Sequence, residues 1–187
     1  MEKQKEFILT DERAFYLIKH FEKLNEKGIR HFQQLGHSSE AINHALSSIG
    51  SKFYTRFTEN PYELIQQLSH LTPLEIISQT NGNRAFRYKM HCEGGIGTNN
   101  LVNIQAIPQR DKSTLKKAIR NGFEVNVVER NFFDPTNELV LICNSLNEVI
   151  TVFPGMYAPA FPTQLVDEYE VEAARLFWEH HAFIIHP

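Results

Sequence analysis

Leu74-Glu75-Ile76-Ile77-Ser78-Gln79, then Thr80-Asn81-Gly82-Asn83, then Arg84-Ala85-Phe86-Arg87-Tyr88-Lys89-Met90-His91 is the stretch on which the fold turns. Both flanking runs are rich in β-branched and aromatic residues, and an Asn-Gly pair between such runs predicts an antiparallel hairpin. Along a strand, successive side chains point to opposite faces. Phe86, Tyr88 and Met90 therefore share one face, and Arg87, Lys89 and His91 share the other.

Downstream, further strands are expected at residues 101–107, 123–130, 139–143 and 149–153, with Asp134-Pro135-Thr136-Asn137 as a turn. Residues 113–121 read as a short helix or turn ending at Gly122. Upstream the composition changes to Glu, Lys, Gln and Leu. Asp11 is a candidate cap for a helix with Phe15, Leu17, Ile18, Phe21 and Leu24 near helical spacing, ended by Gly28. Ser38 or Ser39 caps a second helix, with Ile42, Ala45, Leu46 and Ile49 as its apolar stripe and Gly50 at its end. Asn60-Pro61 opens a third, an Asn cap followed by Pro at the first helical position, with Leu64, Ile65 and Leu68 as its stripe. Residues 168–183 close the chain as a helix carrying Val171, Ala174, Leu176, Phe177 and Trp178. Helices, then antiparallel strands, then a helix predict an α+β fold. Its N-terminal helices (1–71) pack on an antiparallel sheet of about five to six strands (74–153), with a closing C-terminal helix (163–183), as a single domain over 1–187.

The 187 residues are 42% hydrophobic and 22% charged, which excludes collagen-like, coiled-coil and disordered classes. Nineteen Lys and Arg face 22 Asp and Glu, a net charge of −3, so a strongly basic nucleic-acid binder is excluded for the chain as a whole. A local basic patch is not. Two cysteines, Cys92 and Cys143, make no disulfide scaffold. The charged start, Met1-Glu2-Lys3-Gln4-Lys5-Glu6, is no secretory leader, and no apolar run approaches membrane-spanning length. The expected setting is the cytoplasm, with no membrane partner.

Arg87, Lys89 and His91 would project from one sheet face at roughly 6.5–7 Å intervals. Cations at that spacing suit the oxygens of a phosphodiester, and His transfers protons near neutral pH. An amphipathic strand with its polar face in water produces the same pattern. The segment Glu93-Gly94-Gly95-Ile96-Gly97-Thr98 can expose consecutive backbone N–H groups to an anion, making Gly95, Gly97 and Thr98 candidate phosphate-binding residues. A long hairpin loop with Gly at positive φ accounts for it equally. Thr151 faces away from Ile150 and Val152 on its strand. No Cys or His spacing matches a zinc module, and no cofactor is expected. Glu168, Glu170 and Glu172 read as a solvated helix face, because residues two apart on a helix do not face each other.

The late strands Phe132-Phe133-Asp134-Pro135-Thr136-Asn137-Glu138-Leu139-Val140-Leu141-Ile142 and Glu148-Val149-Ile150-Thr151-Val152-Phe153-Pro154-Gly155 resemble those of the barnase/EndoU/RelE-like group of ribonuclease toxins. The resemblance covers mainly residues 84–155. It implies a metal-independent ribonuclease acting on RNA, with His91 as proton shuttle, Lys89 and Arg87 stabilising phosphate charge, and Thr151 orienting the phosphate. It also implies a neutralising antitoxin or immunity partner. A competing expectation is a non-catalytic interaction protein, an immunity or adaptor protein, suggested by the acidic balance and the aromatic, Pro-rich loop at 153–162. A third is a phosphate-ligand enzyme built on residues 93–100.

Overall fold

A computed structural model describes residues 6–48 and 50–186. In chain order its helices and strands are α1 (Asp11–Leu17), α2 (Glu26–Gln34), α3 (Ser39–Leu46), α4 (Pro61–Ser69), β1 (Glu75–Ser78), β2 (Arg84–Lys89), β3 (Gly97–Asn99), β4 (Leu101–Asn103), β5 (Leu115–Arg120), β6 (Phe123–Glu129), β7 (Asp134–Thr136), β8 (Glu138–Cys143), β9 (Val149–Pro154), α5 (Glu168–His180) and β10 (His181–Ile185). The class is α+β, as expected. The strands are divided over two four-stranded sheets, ordered β1-β2-β8-β9 and β4-β10-β6-β5, and a short pair, β3-β7. The residues form two compact units, one drawn from 1–98 and 135–155, the other from 99–134 and 156–187.

In the first unit, local capping sets the helices. Thr10, one residue before the expected Asp11, caps α1, its hydroxyl accepting from the Arg13 N–H at 3.2 Å. The apolar stripe expected to run as one helix to Gly28 instead breaks at Phe21, where the backbone becomes extended. Asn25 restarts a helix by accepting from the Gly28 N–H at 2.7 Å, so Gly28 lies in the first turn of α2. Ser38 and Asn60 cap α3 and α4, and Pro61 opens α4, as their sequence positions predict. α3 ends at Leu46, before Gly50, while Ile49 of its expected stripe lies outside the described residues. Lys52 Nζ donates to the Leu46 carbonyl at 2.6 Å and the Lys19 carbonyl at 3.2 Å, satisfying acceptors at helix ends.

The sheet of this unit is antiparallel throughout. Phe86 lies opposite Leu141, itself opposite Val152, and Tyr88 lies opposite Leu139. With Phe7, Leu17, Phe21, Phe53, Leu64, Leu68 and Ile96 they form one buried cluster. Each such side chain contributes roughly 1.5–3 kcal/mol on burial. Phe86, Tyr88 and Met90 thus face the core, as the alternation predicts.

His20 sits beside this core. Its Nδ1 meets the Ser51 carbonyl at 3.2 Å and its ring centroid lies 6.1 Å from that of Phe153. Burial, above all, lowers its pKa from the usual value to about 4. The unfolded chain therefore takes up this proton first as pH falls. Stability is fully present above pH ~6.5 and declines between there and pH ~4, by about 3 kcal/mol in all. Urea unfolding across this range, compared with His20→Gln, checks the slope; the variant should lose it.

In the second unit, β5 replaces the expected helix or turn at 113–121. Asn121 (φ 47°) and Gly122 (φ 76°) are both left-handed, the requirement of a tight two-residue hairpin joining β5 to β6. The closing helix stops at His180, and residues expected to continue it form β10, antiparallel to β4 and parallel to β6. Ala182 and Ile184 point into a cluster with Val102, Ile107 and Val128. Trp178 and Ala174 pack with Leu101, and the Phe161 ring lies tilted against Trp178 with centroids 4.8 Å apart. Asn126, buried in β6, donates its amide to the Trp178 carbonyl at 3.2 Å.

Candidate functional site

The strand face predicted to carry chemistry is partly assembled. The Arg87 guanidinium pairs with the Glu75 carboxylate and lies 3.9 Å from a Glu138 oxygen. Glu75 is its direct cross-strand partner. Lys89 is exposed at the end of β2. His91 lies two residues past that end and is exposed, so strand alternation does not set its direction. Thr151 lies opposite Ile142, which lies opposite Ala85, so it shares the Arg87 face but sits two strands away, about 9.5 Å in the sheet direction.

The glycine-rich segment is bound into the first unit. The Gly95 N–H donates to the Cys92 carbonyl at 3.0 Å, the Ile96 N–H to Thr136 at 2.7 Å, and the Thr98 N–H to Lys52 at 2.9 Å. Thr98 Oγ1 in turn accepts from the Lys52 N–H at 3.0 Å. Arg56 donates to the Gly94 carbonyl at 2.6 Å. These three amides have acceptors already, which leaves them no donor for an anion. A Cβ on Gly97 would collide with the Lys52 carbonyl and come within 2.9 Å of the Pro154 ring. Close approach of β3 to its neighbours requires glycine there.

Two features were not legible as sites. The first is a cleft of about 390 Å³ among α1, α2 and α4, lined by Asp11, Lys27, His31, Asn60, Tyr62 and Glu63. At its mouth the Tyr62 hydroxyl donates to Asp11, and His31 Nε2 lies 3.1 Å from both the Asp11 carboxylate and the Tyr62 oxygen. The Tyr62 and His31 hydrogen bonds hold the Asp11 pKa below its usual value. Burial, then Asp11, pushes the Tyr62 phenol up. Two carboxylates against one lysine give the cleft a formal charge of −1 with His31 neutral, so it disfavours anions. Spacings of 20 and 31 residues carry no motif that would have exposed it.

The second is the outer face of α5. Its buried side carries Ala174 and Trp178, but Tyr169 is 88% exposed and Leu176 56% exposed, and Val166 just before the helix is 96% exposed. Tyr169, Ala173, Leu176 and His180 recur at helical spacing and form a second stripe. Ala173, Leu176, Phe177, His180 and His181 line a shallow depression there of about 500 Å³. Glu168, Glu172, Arg175 and Glu179 form the adjoining row, −2 in sum. The helix buries the row through Ala174 and Trp178 and leaves Leu176 on the exposed side.

Among the described residues no group of three or more His, Cys, Asp and Glu side chains is placed to hold a metal ion, and no helix is long and apolar enough to cross a membrane. No protein-family model and no curated protein matches the chain. One solved structure is similar: a conserved hypothetical protein from Toxoplasma gondii ME49, at 13% identity and a TM-score of 0.44, covering 67% of this chain and 86% of that one. So faint a likeness bears on neither fold nor function.

Proposed function

We propose that the chain is a non-catalytic protein-interaction module, of the immunity or adaptor kind, that docks through the outer face of α5. The observation that carries this reading is the exposed Tyr169–Leu176 stripe beside a net acidic row. Aromatic residues surrounded by a polar rim are the usual centre of a protein interface. The acidic row calls for a partner with basic groups around an apolar contact, bound more weakly as salt rises. The test is affinity capture with the full chain, followed by titration of the purified partner. Tyr169→Glu and Leu176→Glu are each expected to weaken binding roughly tenfold or more. A partner held equally well by both variants and insensitive to salt would sink the reading.

A second reading, a metal-independent RNA-cleaving toxin, draws support from Arg87, Lys89 and Thr151 lying on one face of the sheet. The Glu75 and Glu138 carboxylates around Arg87 weigh against it, since they repel phosphate. RNA cleavage by the purified protein in EDTA, lost in Lys89→Ala and His91→Ala, would favour it over docking. Equal residual cleavage in all three proteins would mark contamination.

A further inference from the structure

We infer that the cleft among α1, α2 and α4 binds a small zwitterion, a free α-amino acid, whose carboxylate meets Lys27 and Asn60 and whose ammonium meets Glu63. The cleft lies wholly within the first unit and does not depend on docking through α5. Its volume of about 390 Å³ is near the lower end of the range for small-ligand pockets.

The lining holds some groups that are already engaged and others that are not. Asp11 is engaged: its carboxylate accepts from the Tyr62 hydroxyl, and His31 Nε2 lies 3.1 Å away. Asn60 is engaged on one side only. Its Oδ1 accepts from the Tyr62 N–H at 2.9 Å, which caps α4. Among the described residues nothing accepts from its Nδ2, although Asn60 is only 7% exposed. A donor that loses water without gaining a partner carries a desolvation penalty, and an acceptor oxygen on a ligand removes it. Lys27 and Glu63 complete the set. They line the same cleft with opposite charges, and among the described residues neither side chain takes part in an ion pair or hydrogen bond.

These unmatched groups define the ligand. Asn60 and Lys27 donate, and Lys27 calls for negative charge. Glu63 accepts and calls for positive charge. A simple amine answers Glu63, but it meets repulsion from Lys27 and leaves Asn60 unpaired. A simple carboxylate or phosphate answers Lys27 and Asn60, but it meets the net negative charge of Glu63 and Asp11. A molecule with both charges answers all three residues. In a free α-amino acid those charges stand one carbon apart, and Lys27 and Glu63 are long, exposed side chains able to close on them. The Tyr62 and His31 rings, nearly perpendicular with centroids 5.4 Å apart, leave aromatic surface for the amino acid's own side chain.

The experiment is thermal unfolding of the full chain with each free α-amino acid as probe, at up to about 10 mM. Calorimetric titration of the best binder follows, with its N-acetyl derivative and its decarboxylated amine as controls. At least one amino acid is expected to raise the unfolding midpoint saturably. Each control lacks one of the two charges and is expected to bind about tenfold more weakly or not at all. Glu63→Gln and Lys27→Met are each expected to weaken binding about tenfold. Both residues are exposed, so unfolding without ligand should be unchanged and serves as the check on folding. No saturable shift with any amino acid, or folded variants that bind as well as wild type, overturns the inference. So does an amine that binds as tightly as its parent amino acid, since that marks a site for cations alone.

Discussion

Gly97→Ala is expected to destabilise the first unit by about 3 kcal/mol. The added methyl would press on the Lys52 carbonyl, and this oxygen is the acceptor for the Thr98 N–H at 2.9 Å. Moving the strand to relieve the collision also disturbs the return bond from the Lys52 N–H to Thr98 Oγ1. Pro154 closes the other side, so β3 has no easy direction of retreat. The control is Gly82→Ala in the β1–β2 turn. Its φ of 87° strains any L side chain, but a Cβ there meets nothing within 4 Å. That change is expected to cost only about 1–2 kcal/mol. Denaturant midpoints of the two variants check the difference. Equal losses would mean that crowding at Gly97 is absorbed by the structure and that its glycine serves something other than close packing.

Arg130→Met is expected to cost the second unit about 3–5 kcal/mol. Only 5% of the Arg130 side chain is exposed. Its guanidinium donates to Asp134 at 2.8 Å, lies 3.7 Å from Asp111 and stands 4.7 Å over the Phe132 ring. Removing the cation leaves the Asp111 carboxylate, 13% exposed, without its principal counter-charge. The cost belongs mainly to that abandoned charge, not to the lost contact itself. Adding Asp111→Leu to Arg130→Met should therefore return part of the stability, although it deletes a further polar group. Urea unfolding of the single and double variants decides this. A double variant less stable than the single would show that Asp111 stabilises the second unit apart from its charge balance with Arg130.

What was legible in the sequence was local. The Asn81-Gly82 turn, the Ser38 and Asn60 caps and the Phe86/Tyr88 core face each depend on residues a few positions apart, and each appears where expected. The break at Phe21 was not legible, because the apolar spacing runs on through Leu24 while the interruption comes from a bridge to Phe53, 32 positions away. β10 was hidden because His181–Ile185 continues the apolar pattern of the helix before it, and only a place between β4 and β6 makes it a strand. The Asn121-Gly122 hairpin carried the same signal as Asn81-Gly82, but Lys116, Lys117 and Arg120 masked the strand leading into it. For the candidate strand face, residue type was read from β2 alone. The observed register closes Gln79 on Asn83 around residues 80–82 and so pairs Glu75 with Arg87, whereas a two-residue loop at Asn81-Gly82 pairs position 75 with position 88. The carboxylate that occupies Arg87 was therefore not implicit in the sequence. The Asp11, His31 and Tyr62 cluster had no clue either, since three separate helices bring it together.

The path of the chain through the two units has a consequence for synthesis. It leaves the first unit after residue 98, re-enters at 135 and departs again after 155. Phe86 emerges from the ribosome long before Leu141, its neighbour in the sheet. At ordinary translation speeds the wait is on the order of several seconds. Throughout that interval the β2 face with Phe86 and Tyr88 lacks its second wall, and β1–β2 is a bare hairpin with two open edges. Nascent chains stalled after β2 has cleared the exit tunnel but before β8 has done so should therefore recruit hydrophobic-binding chaperones, and release them once β8 and β9 follow.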